Sequence, residues 1–233
     1  MEHPTEMTNA AEALALLRRR GLVTLTPCGA LPSVVETVAG GPVRGSWWAH
    51  PRGDAIVAFA GALADSSEVW TTKLVEGKVT FVHRSLWPAL LRVVSDRRWR
   101  SAAVGGLRAP ARRLLRAVER AGELRLDRWP GGRPLKKGEL AAARLELEKG
   151  SLVLGTEVHT EKGSHATVLR SWSRVVDRAL RREAARLSFD EALRAVRGAC
   201  AGLRSAVEAG MRDRSDRSGR GGTIPDPTGW RWR

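Results

Sequence analysis

The chain has 233 residues, and its 40 lysines plus arginines outnumber its 25 aspartates plus glutamates to give a formal charge of +15. A hydrophobic content of 42% is enough for a packed core and excludes a wholly disordered chain. The charge points first to a polyanionic partner, DNA or RNA, although high-GC coding also produces a chain rich in Arg, Ala and Gly.

In chain order, the stretch "AAEALALLRRR" predicts a helix capped by Thr8 or Asn9 and stopped at Gly21. "LVTLTP" is β-prone, and "LPSVVETVAGG" predicts a helix with Pro32 near its first turn and Gly40 and Gly41 at its end. A loop with adjacent Trp47 and Trp48 leads to an apolar helix starting near Asp54. "EVWTTKLV" and "KVTFVHR" are strands joined by the hairpin signal Glu76-Gly77. "LWPALLRVVSD" is a helix, and "RRWRSAAVGGLRA" is a basic linker with a short helical part.

A second unit follows. "PARRLLRAVERAG" places Leu114, Leu115 and Val118 on one helical face, with Pro110 in the first turn. "ELRLDRW" is extended, a Gly/Pro loop leads into a helix ending at Lys149, and two strands flank "EKG". One long helix is expected over "WSRVVDRALRREAARL", then another with Ser188 and Glu191 in a capping box. From Arg212 the Arg/Ser/Gly/Pro-rich sequence predicts a disordered basic tail carrying Trp230 and Trp232.

Helix, extended run, helix and hairpin is the order of a winged helix, whose recognition helix enters the major groove of DNA. The expected fold class is α+β, mostly helical, with tandem winged-helix-like units and two β-hairpin wings. The expected division is a helical and winged unit over 1–100, a winged helix over 101–187, a C-terminal helix over 188–211, and the tail over 212–233. The hairpins carry similar strings, "LVEGKVTFVHRSLW" and "HTEKGSHATVLRSW", with Arg84 and Arg170 86 residues apart. This is a weak internal repeat or two unrelated hairpins.

The candidate recognition helix runs from Lys136 to Lys149. Arg133, Lys136 and Lys137 near its start, Arg144 along it and Lys162 on the wing are candidate DNA contacts. "RGSWWAHP" offers Arg44, Trp47 and Trp48 as an aromatic wedge for an unpaired or flipped base, or two core tryptophans beside a turn. Phe81 reads as core, and His83 as a histidine satisfying a core hydrogen bond.

"EVHTEKGSH" is the tightest cluster of acid–base groups. Strand alternation puts Glu157, His159 and Glu161 on one face. Such a face is a solvated or DNA-facing wing, or a base-excising site in which a carboxylate activates water and a donor assists the leaving base. With His165 it is also a weak metal set. Cys28 and Cys200 are far apart with no CxxC spacing, so no thiolate zinc site is encoded. No P-loop, dinucleotide fingerprint or nucleophile elbow occurs, and no cofactor or bound metal is expected. The apolar runs are too short for a membrane span. The opening segment is acidic before it is basic, the reverse of a signal peptide, so a cytoplasmic protein with no membrane partner is expected.

The segments "GGPVRGSWWAHPRGD…VWTTKLVEGKVTFVHRSLWPAL" and "ARRLLRAVERAGELRLDRW…ELEKGSLVLGTEVHTEKGSHATVLRSW" resemble small bacterial winged-helix proteins related to the AlkZ/YcaQ family. That family consists of DNA glycosylases built from tandem winged helices, so the resemblance implies duplex DNA as partner and a repair or genome-maintenance setting. Its catalytic Gln-x-Gln or Gln-x-Asp signature has no counterpart, because the chain contains no glutamine. A glycosylase of this kind would need other residues, with Glu157, His159 and Glu161 the candidates. A protein-interaction adaptor with a basic tail is the remaining alternative, since winged helices serve both roles.

Overall fold

A computed structural model of the chain describes residues 4–29, 31–128, 135–159 and 165–200. The fold is α+β and mostly helical, with two small antiparallel sheets of three strands each. The expected basic tail with Trp230 and Trp232 lies outside the described residues.

The first unit runs α1 (Pro4–Arg20), β1 (Leu22–Thr24), α2 (Val34–Ala39), α3 (Gly53–Asp65), β2 (Val69–Val75) and β3 (Lys78–His83). Its strand order is β1–β3–β2. Helix α1 begins before the expected caps, so Thr8 and Asn9 lie inside it. Pro4, with φ already near the helical value and no N–H to satisfy, suits a first helical position. Helix α2 is capped by Ser33, whose hydroxyl oxygen accepts from Glu36 N–H at 3.1 Å. Glu76 (φ +50°) and Gly77 (φ +75°) form the two-residue turn between β2 and β3. Positive φ at both positions matches the right-handed twist of the strands they join.

Two helices follow, α4 (Trp87–Val94) and α5 (Arg97–Gly105). Most of the expected basic linker is therefore helical. Asp96 starts it, its carboxylate accepting from the N–H groups of Arg98 and Trp99. The second unit is α6 (Ala109–Ala121), β4 (Glu123–Arg125), α7 (Lys137–Lys149), β5 (Leu154–His159) and β6 (His165–Arg170), with strand order β4–β6–β5. The expected long helix after it is two helices, α8 (Trp172–Val175) and α9 (Arg178–Ala185). Val176 is extended, and the Asp177 carboxylate caps α9 by accepting from Leu180 N–H at 2.8 Å. Helix α10 (Phe189–Ala199) carries the Ser188–Glu191 capping box.

The two units share a plan. In each, the first helix ends at a glycine whose carbonyl accepts from a residue at the end of the last strand or just past it, His83 N–H to Gly21 O and Ser171 N–H to Gly122 O, both at 2.9 Å. By this criterion His83 and Ser171 correspond, 88 residues apart. The similar strings align Ser85 with Ser171 instead and are out of step with the backbone by two residues.

Three apolar clusters hold the molecule. Leu17, Val35, Ile56, Leu63 and Phe81 form the core of the first unit, and Leu114, Val118, Leu147 and Leu169 that of the second. The third lies under α4, α9 and α10, where Leu90, Val93, Ala184 and Val196 meet Leu22 and Val82. Trp70, Trp87 and Trp172 pack on it. The Trp70 and Trp87 rings stack at 4.2 Å, and Trp172 meets Trp70 edge-on at 5.4 Å. Trp70 belongs to the first sheet and Trp172 follows the second, so this contact joins the units. No helix among the described residues is long and apolar enough to cross a membrane.

Cys28 and Cys200 are both buried in the third cluster. Burial pushes the Cys28 thiol up to about 11 and the Cys200 thiol up to about 12. At pH 8 the thiolate fraction of Cys28 is about one part in a thousand, and that of Cys200 is smaller still. Both thiols should resist alkylation at pH 8 in the native protein and react promptly once it is unfolded in guanidinium. Fast native labelling of either, read by intact mass, contradicts this burial.

Candidate nucleic-acid interface

Helix α7 has two different halves. At its start, Lys136 and Lys137 are exposed and neither forms an ion pair among the described residues. The Lys136 N–H donates to the Glu139 carboxylate at 3.1 Å. That carboxylate occupies one donor of the helix N-terminus and offsets its positive end, which leaves the two ammonium groups as the main attraction for phosphate there. Arg133, Glu161 and Lys162 lie outside the described residues.

The second half of α7 faces inward. Glu148 is almost fully buried, with only 2% of its side chain exposed. Its Oε2 accepts from Arg144 Nε at 3.0 Å and lies 3.7 Å from Lys73 Nζ, which comes from β2 of the first unit. Its Oε1 has no hydrogen-bond partner. The carboxylate lies so close to the Gly155 backbone that a Cβ there would collide with it. Arg144 also donates to the Thr167 hydroxyl and reaches Glu157 Oε1 at 3.5 Å. Arg144, expected from sequence to touch DNA, is thus committed to neutralising a buried carboxylate and bridging α7 to β5 and β6.

The same geometry fixes Glu157, the one member of the expected acid–base cluster whose side chain is described. It lies on the face of β5 turned toward α7, where its largely exposed side chain reaches Arg144 at 3.5 Å. His159 and His165 are register partners in the backbone ladder. Among the described residues, no three histidine, cysteine or carboxylate groups converge as a metal site requires.

His83 is buried, as its sequence context suggests. Its Nδ1 accepts from Ser85 N–H at 3.3 Å and lies 2.9 Å from the Ser85 hydroxyl, while Nε2 faces Glu68 Oε2 at 3.4 Å. Because Nδ1 is the acceptor, the ring proton belongs on Nε2 and points at Glu68. Arg18 Nη2 binds the same carboxylate at 2.7 Å. The guanidinium, helped by the imidazole, holds Glu68 below the usual carboxylate range. The cluster ties the end of α1 to both strands of the first hairpin.

The tryptophan pair divides its roles. Trp47 is half-buried and packs on the core of the first unit, and Trp48 is 69% exposed. Their rings stack at 4.1 Å and 25°. Arg44, four residues before Trp48 in sequence, is exposed.

A further set of basic residues lies on α5 and α6. Residues 97 to 128 hold ten arginines against three carboxylates. On α6 the inward face is Ala111, Leu114, Leu115 and Val118, so Arg112, Arg116 and Arg120 are exposed along the other side. Arg97 and Arg98 are exposed at the start of α5. Neither Arg116 nor Arg120 has an ion-pair partner among the described residues. The signal was present in "PARRLLRAVERAG", where arginines recur every three or four residues opposite the apolar stripe.

No family model, curated protein or solved structure matches the chain.

Breaking the Glu148 network should be costly. Arg144→Ala leaves a buried carboxylate without its hydrogen-bonded cation, a change worth about 3–5 kcal/mol. Adding Glu148→Leu should recover a large part of the loss in urea unfolding. A single Arg144→Ala variant as stable as the parent, with weakened DNA binding, would return Arg144 to the nucleic-acid surface.

Proposed function

We propose that the chain is a DNA-binding protein of two winged-helix units that grips duplex DNA through its phosphates, in a repair or genome-maintenance setting. The observation that carries this reading is the arginine surface of α5 and α6, where Arg97, Arg98, Arg112, Arg116 and Arg120 are exposed. Ten arginines against three carboxylates over residues 97 to 128 leave this stretch strongly basic. A dense row of guanidinium groups suits a phosphate backbone, since each offers paired donors to phosphate oxygens. The element order of the second unit supports the same reading. Helix, strand, helix and hairpin, with the first strand beside the last, is the plan of a winged helix, and α7 presents Lys136 and Lys137 at the end such folds turn toward DNA. The first unit repeats the strand order, but α3 carries only Asp54 and Asp65 as charged residues. It serves as the supporting unit, and phosphate contact falls to the second. The resemblance to AlkZ/YcaQ glycosylases is what suggests the repair setting.

Affinity for a duplex should fall linearly with salt on a log–log plot, by about 0.9 log units per phosphate neutralised. Replacing Arg112, Arg116 and Arg120 with alanine should lower that slope by about 3 and weaken binding to all sequences alike. Replacing Lys136 and Lys137 should remove about 2 more. Fluorescence anisotropy against salt concentration measures both. Affinity independent of salt, or a triple variant that binds like the parent, would refute the assignment.

A further inference from the structure

We propose that the exposed face of Trp48, on a loop that also carries Arg44 and Arg52, is a stacking site for an unpaired nucleobase. The proposal rests on the DNA-binding reading above and adds a second, chemically distinct contact on the other unit.

Trp48 is the most exposed of the large hydrophobic side chains among the described residues, at 69%. An indole held in water is unusual, because large aromatics gain most from burial. This one is also held rigidly. One face stacks on Trp47, which is anchored on the first core. The backbone around it is tied by Ala49 N–H to Ser46 O, His50 N–H to Trp47 O and Gly53 N–H to His50 O, the last at 2.7 Å. The Arg52 N–H donates to His50 Nδ1 at 3.2 Å. Gly53 lets the chain close tightly here, since a Cβ at that position would meet the Trp48 carbonyl oxygen at 3.1 Å. A ring fixed in advance loses little entropy when a second ring lands on it.

The surroundings select the kind of ring. Arg44 and Arg52, four residues before and after Trp48, are both exposed, and neither forms an ion pair among the described residues. Residues 37 to 53 contain no carboxylate at all; the nearest on the chain after them is Asp54 at the start of α3. An exposed aromatic face on a basic loop free of carboxylates suits a nucleobase better than an acidic or purely apolar partner. The base must be unpaired, because a continuous duplex shows only base edges to a protein, whereas gaps, overhangs and extruded bases show a face.

The test uses the full chain and three labelled DNAs of one sequence: a blunt duplex, the duplex with a three-nucleotide 3′ overhang, and the same overhang made of abasic residues. The last has the charge of the overhang without its bases. The parent protein should bind the base-bearing overhang about 5- to 150-fold tighter than the abasic one, the range expected for stacking on one aromatic ring. Trp48→Ala should abolish that preference and leave blunt-duplex affinity unchanged, and Trp48→Phe should restore part of it. Equal binding of base-bearing and abasic overhangs by the parent, or a preference that survives Trp48→Ala, overturns the proposal while leaving the phosphate reading intact. Trp48→Ala that only converts a larger species to monomer in sedimentation makes the ring a protein contact and also overturns it. Failure to bind any of the three DNAs removes both readings together.

Discussion

The arrangement of the two units depends on one buried carboxylate. Glu148 sits where α7, β5 and the first unit's β2 meet, and a charge in that position is tolerable only with cations beside it. Arg144 comes from the same helix and Lys73 from the other unit. β2 can deliver both Lys73 and Trp70 to the second unit because its pairing with β3 is irregular between Thr72 and Val75. In a regular strand, residues three apart point to opposite faces; an irregularity re-aims one of them. The turn of the same hairpin also comes close, since a Cβ at Gly77 would meet Leu145 Cδ1 at 2.9 Å. One hairpin thus fixes the second unit by a charge contact, an aromatic contact and a close backbone approach.

This arrangement decides which parts of the chain can meet a partner. The C-terminal half of α7 is enclosed, and its arginine is consumed internally. The N-terminal turn of α7 and the outer faces of α5 and α6 stay open. In the first unit, α3 is nearly free of charge, and the loop before it presents an indole instead. The two units therefore offer different chemistry on one scaffold, guanidinium groups on one and an aromatic face on the other.

Much of the fold was legible from the residues. Apolar spacing in "PARRLLRAVERAG", the Glu76-Gly77 turn and the Ser188–Glu191 box each encode their structure locally, and each element is where those signals put it. The break in the helix after Trp172 was encoded too, by Asp177, but a capping aspartate has the same sequence signature as a surface aspartate inside a helix. The internal pairing of Arg144 was not legible for a different reason. Its spacing to Glu148 was visible as an ordinary helical pair, but nothing local shows that the glutamate is buried by another unit 75 residues earlier in the chain. The tryptophan pair was half legible: adjacent tryptophans suggested either burial or display, and the backbone does one of each. Glu157 shows the same non-local effect, since the contact that reaches it comes from Arg144 on α7.

The docking of β2 has a consequence for how such a molecule can be taken apart. In the sheet order β1–β3–β2, β2 is an outer strand, with one row of backbone groups unpaired within its own sheet. Here β5 and α7 lie against it, and Trp70 beside it is shielded by Trp172. A fragment ending after the first unit would uncover an adhesive edge and a stacked pair of indoles at once. The halves, though built on one plan, are not interchangeable modules: each covers surface of the other, and any change in the length of the segment between them would have to preserve that cover.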